Sequence, residues 1–79
     1  IFPYPTPREA SFWMKNTLIP LDMIFIRADG TIARIEENTV PLSLEPVASL
    51  EPVVAVLELA GGRSAELGIK PGDKVTWQR

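Results

Sequence analysis

The sequence predicts a small mostly-β domain, barrel-like or sandwich-like, with one short helix near residues 62–67. Three observations point there. Eight prolines and five glycines punctuate the whole length of 79 residues. The apolar runs between them are short, and no alternation of strand with long helix appears, so a parallel βαβ sheet is excluded. Asp29-Gly30 sits between two β-rich runs, a strong local hairpin signal.

Each element follows in order. Pro3, Pro5 and Pro7 exclude helix at the start, because each ring removes an amide donor and restrains the residue before it. An extended lead-in that packs Phe2 and Tyr4 is expected. Ser11 to Lys15 reads as a short strand, with Phe12 and Trp13 on opposite sides. Trp13 is expected to be largely buried, since a large aromatic contributes heavily to burial. After a bend at Leu18-Ile19-Pro20-Leu21, Asp22 to Ala28 reads as a buried strand, apolar on both faces. Asp29-Gly30 then predicts a two-residue type I′ turn with positive φ at both positions. Thr31 to Val40 alternates as the return strand. Ile32, Arg34, Glu36 and Asn38 share one face, and Ala33, Ile35, Glu37 and Thr39 the other.

Residues 41–52 read as irregular and carry a small tandem repeat. Ser43-Leu44-Glu45-Pro46-Val47-Ala48 is followed by Ser49-Leu50-Glu51-Pro52-Val53-Val54. Two copies of six residues do not make a solenoid. The segment is expected to be a loop pinned to the core by Leu44, Val47 and Leu50. Val53 to Leu59 reads as a second buried strand, ended by Gly61-Gly62. Arg63 to Leu67 forms a short helix, with Gly68 at the left-handed position past its end and Ile69 as the apolar partner. Lys70-Pro71-Gly72-Asp73 has the type II turn pattern. Lys74 to Gln78 alternates as a last strand, with Val75 and Trp77 inward.

Composition narrows the chemistry. The length fits one domain, residues 1–79. Eight basic against ten acidic residues argue against a nucleic-acid surface, which needs a basic stripe. Apolar runs such as Met23 to Ile26 are far short of the ~20 residues that span a bilayer. The chain has neither Cys nor His. Thiol and imidazole nucleophiles, zinc sites and disulfides are therefore excluded. Only carboxylates remain for a metal, and Glu36 and Glu37 point to opposite faces of a strand, so no metal site is expected. No glycine-rich phosphate motif is present, and no cofactor is expected.

Ser11-Phe12-Trp13-Met14-Lys15-Asn16-Thr17 and Ile19-Pro20-Leu21-Asp22, with Val56 to Gly62 and Leu67 to Val75, carry a resemblance. Together they resemble the bacterial and archaeal domain-of-unknown-function family 192, over roughly Ile1 to Val75. The Phe-Trp-Met-Lys-Asn-Thr stretch is the specific part. The resemblance implies a compact β-rich fold with one short helix and favours an exported or envelope-associated protein. It brings no activity, cofactor or catalytic residue. It also implies an upstream strand and helix that this chain does not contain, so the chain reads as the C-terminal larger part of the family's usual domain. An edge left bare in this way favours pairing with a second copy through the N-terminal edge.

One polar constellation stands out: Trp13, Lys15, Asn16, Thr17 and Asp22. Alternation puts Trp13, Lys15 and Thr17 on one face, and the bend at Pro20 can return Asp22 toward them. Glu58 is the sixth candidate, a carboxylate inside an apolar strand that needs water, a cation or backbone donors. Lys15 is expected to lie close to Glu58 or Asp22. Two functions fit these residues. The first is a non-enzymatic module that binds a polar small molecule, an envelope glycan or a protein partner. The second is an enzyme that uses Lys15, Asp22 and Glu58 for hydrolase-like acid–base chemistry. Each residue also has a purely structural reading, as a turn-former, a solvated cation or a cap.

Overall fold

The computed structural model describes residues 1–14 and 17–76. Its strands are β1 (Phe2–Arg8), β2 (Ser11–Phe12), β3 (Leu21–Ile26), β4 (Ile32–Glu36), β5 (Val47–Ala48) and β6 (Val53–Ala60), followed by the helix α1 (Arg63–Glu66). The domain is mostly β with one short helix. A four-stranded antiparallel sheet runs in the order β1-β6-β3-β4, and β2 and β5 form a separate two-stranded sheet. The sheets do not close into a barrel: β1 and β4 are both edges of the larger sheet.

The two apolar central strands, β3 and β6, pair over six residues from Leu21↔Ala60 to Ile26↔Ala55. Their alternation divides the core between the faces of the sheet. Met23, Phe25 and Val56 pack with Ala10 and Met14 on one face, under β2 and β5. Ile24, Ile26, Ile32 and Ala55 pack with Leu57, Ile69 and Val75 on the other.

Several expectations change. The proline-rich lead-in is a full strand, β1, pairing β6 through Phe2↔Val56 and Arg8↔Val53. This is possible because β1 lies at an edge, where residues without an amide can face away from the partner. Phe2 is half exposed, with its ring 6.3 Å from that of Phe12, and Tyr4 packs on the core as expected. The hairpin is not a two-residue type I′ turn. The Gly30 amide donates to Arg27 O at 2.9 Å, and the Arg27 amide to Thr31 O at 2.8 Å. Only Gly30 has positive φ, +87°. This is a three-residue loop, a turn through Ala28-Asp29 followed by a left-handed glycine. Asp29 accepts from the Thr31 amide and hydroxyl, so its side chain stabilises the turn without a strained backbone.

The return strand carries a bulge. Phe25 pairs Arg34, but Ile26 pairs Ile32, so Ala33 is the extra residue. Arg34 and Glu36 therefore share the face of Met23 and Phe25, while Ile32 packs with Ile24 on the opposite face. The expected common face for Ile32, Arg34 and Glu36 is corrected by that one residue. Trp13 is also corrected: it is 56% exposed. Phe12 and Met14 take the inward positions on either side of it. In the loop, only Val47 packs on the core, and Leu44 and Leu50 are exposed. The anchor is instead Ser49, fully buried, whose hydroxyl accepts from the Ala10 amide and donates to Glu51 O. Of the last strand, Lys74 bridges to Thr31, while Trp77 and Gln78 lie outside the described residues.

Candidate functional site

Asp22 occupies the second position of β3 and is fully buried. Its Oδ1 accepts from the amides of Asn38 at 2.9 Å and Gly62 at 3.0 Å. Its Oδ2 accepts from the Ser64 amide at 2.9 Å and from the Ser64 hydroxyl. The local sequence explains this convergence. Gly62 takes a left-handed φ of +86°, which swings the start of α1 inward. Gly61 has no side chain because a Cβ there would sit 2.5 Å from Asn38 Oδ1. Asn38 itself has positive φ, +48°, and turns its amide toward the carboxylate. Burial is the largest influence on Asp22 and raises its pKa. The Ser64 hydroxyl and the three amides together outweigh burial and hold the pKa at about 2. The group is a buried anion that fastens three segments together.

The other sequence candidates are placed apart from it. Glu58 pairs Met23, so it projects from the opposite face of the sheet to Asp22. It forms no ion pair among the described residues. Thr17 is half-buried; its amide donates to Met14 O and its carbonyl accepts from Leu42. Trp13 is exposed beside Met14. Lys15 and Asn16, and with them the expected pairing of Lys15 with a carboxylate, lie outside the described residues. The structure thus separates Asp22 from Glu58.

A groove of about 320 Å³ opens between β4 and residues 40–50, at the small end for a small-molecule site. Arg34, Glu36 and Asn38 line one side, and Glu45, Val47 and Leu50 the other. Arg34 donates to Ala48 O and to Glu36, and its guanidinium lies 5.7 Å from the centre of the Phe25 ring. These contacts hold the cation at the groove without burying it, for its side chain keeps 29% of its exposure. Thr39, nearly buried, donates to Leu21 O and Met14 Sδ and accepts from the Leu21 amide, which fixes the inner end. Sequence reasoning passed over these residues. The available signal was the opposite charge of Arg34 and Glu36 at one parity of a strand. No group of three or more metal-ligating side chains occurs among the described residues.

Over residues 1–77 the chain matches the model of domain-of-unknown-function family 192, described as an uncharacterized ACR. The chain belongs to this family. Two solved structures are similar to it. One is a candidate transcription regulator from Sinorhizobium meliloti 1021, at 50% identity and a TM-score of 0.86, over 91% of this chain and 56% of that one. The other is a protein of unknown function from Novosphingobium aromaticivorans DSM 12444, at 52% identity and a TM-score of 0.86, over 90% of this chain and 51% of that one. The family 192 chain described here spans about half the length of either. No curated protein matches it significantly. No helix among the described residues is long and apolar enough to cross a membrane.

Proposed function

We propose that this family 192 protein is a small binding module and that the groove beside β4 holds a polar ligand. One observation carries the reading. Arg34 and Glu36 lie at a groove wall as a partly exposed ion pair, next to Asn38 and Glu45 and flanked by Val47 and Leu50. Such a surface offers donors, acceptors and apolar contact within one ligand's reach. The setting of Asp22 favours binding over acid–base catalysis. At a pKa of about 2, with four donors on its oxygens, Asp22 has neither a proton to give nor a free face toward solvent.

The test is backbone amide NMR of the ¹⁵N-labelled protein against saccharides, nucleotides, organic acids and short peptides. Binding in the groove should shift the amides of residues 34–40 and 43–50. Glu45→Ala, at an exposed position, should weaken that binding at unchanged melting temperature. Shifts confined to other surfaces, or none with any ligand class, would remove the reading.

A further inference from the structure

Among the described residues the main-chain edge beside this groove is open, whereas both other parts of the larger sheet's edges carry protection. At the other edge, β1 carries Pro3, Pro5 and Pro7, which have no amide to offer a new strand. The first part of β4 is covered: the Ile32 amide donates to Asp73 O, and Ile32 O accepts from Gly72. Beyond Ile32 the covering segment turns away through Lys70-Pro71-Gly72-Asp73, closed by the Asp73 amide on Lys70 O.

The bulge decides what remains. Ala33 and Arg34 both face Phe25, so the next outward main-chain groups belong to Ile35 and then Glu37. Among the described residues no turn or loop segment bonds the amide or carbonyl of either. On the groove side the flanking side chains are Arg34 and Glu36; on the other side is Ile35, half-buried against the Ile24 cluster.

We infer that the groove's ligand is an extended peptide of a partner protein, added antiparallel to β4 at Ile35 and Glu37. The inference rests on the groove reading above. Strand addition draws affinity from main-chain bonds and specificity from alternate side chains. The residue opposite Ile35 is aliphatic, because its side chain lies beside Ile35 on the apolar face. Its neighbours lie opposite Glu36 and Arg34 on the groove side. Charge complementarity makes the residue before it basic and the residue after it acidic. The partner motif is therefore basic-aliphatic-acidic, read from its N-terminus.

The probe is an amidated nine-residue peptide with Lys-Val-Glu at its centre and threonines around it, titrated into the ¹⁵N-labelled protein. The expected result is saturable shifts of the Ile35 and Glu37 amides. Glu37→Pro removes an outward donor that the fold does not use, and should weaken binding at least tenfold. Methylating the central valine nitrogen of the peptide should do the same, without relying on a variant that folds. The Glu-Val-Lys peptide should bind less tightly than Lys-Val-Glu. Equal binding by the methylated peptide overturns strand addition, and equal binding by the reversed peptide overturns the charge assignment. A saccharide that fills the groove while no peptide binds overturns this inference and leaves the groove reading standing. No ligand of any class in the groove removes both.

Discussion

Asp22 is the residue on which the fold's polar energetics turn. A buried carboxylate is tolerated only when its oxygens are satisfied, and here four donors do so. Its pKa falls from 3.8 to about 2 on folding. The unfolded chain therefore takes up this proton first as pH drops. Asp22 contributes about 2 kcal/mol of stability above pH ~4, progressively lost as pH falls toward 2. Asp22→Asn should flatten that part of the stability profile and cost about 2–4 kcal/mol at pH 7, because an amide turns two donors against the donors around it. Urea melts of both proteins between pH 7 and 2.5 measure both effects. Ser64→Ala should cost about 1–3 kcal/mol by the same assay, since it removes the hydroxyl bond to Asp22. Trp13→Ala should cost less than about 1.5 kcal/mol, in keeping with its exposure, while Phe25→Ala, at a fully buried site, should cost about 3–5 kcal/mol.

At the scale of elements, apolar runs and glycines were legible. Asp22 to Ala28 and Val53 to Leu59 read as buried strands, because residues apolar on both faces need cover on both. The strands are Leu21–Ile26 and Val53–Ala60, and in the second only Val53 to Val56 are fully covered. The short helix was legible from Gly61-Gly62 and from Gly68, whose φ is +70°. The Lys70–Asp73 turn was legible from Pro71 and Gly72, whose φ is +90°. What failed was counting by strict alternation through Ala33. A bulge adds one residue without any residue type that announces it, and it moves Arg34 and Glu36 to the groove side. The turn at Asp29-Gly30 failed for a related reason: only the glycine takes positive φ. Gly30→Val should destabilise by about 1–3 kcal/mol, through its φ of +87° and a Cβ placed 3.2 Å from Lys74 Cε and Val75 O. Thermal unfolding measures this, and an unchanged melting temperature would mean the loop relaxes into another form.

At the scale of the whole molecule, the candidate polar types were visible in the sequence: Trp13, Lys15, Asn16, Thr17, Asp22 and Glu58. Their sorting was not, because it depends on strand parity and on loops that meet only in three dimensions. Asp22 and Glu58 fall on opposite faces of one sheet, although each lies within an apolar run. The groove is assembled from β4 and a loop whose tandem repeat takes two unlike conformations. Ser43 accepts from the Glu45 amide, whereas Ser49 is buried against Ala10. Leu50 alone of the two repeat leucines takes positive φ, +66°. Asp22 serves as a structural lock, while Arg34, Glu36 and Asn38 stay accessible beside β4.

The most direct test of this division is the titration of Asp22 itself, followed by the ¹³Cγ resonance of its carboxyl group from pH 7 to pH 2 in the folded protein. A lock predicts a midpoint at about 2, with the carboxylate still ionised when most exposed carboxyl groups have protonated. A midpoint at or above 4 would contradict it. It would mean that burial prevails over the four hydrogen bonds, and that Asp22 holds a proton it can exchange.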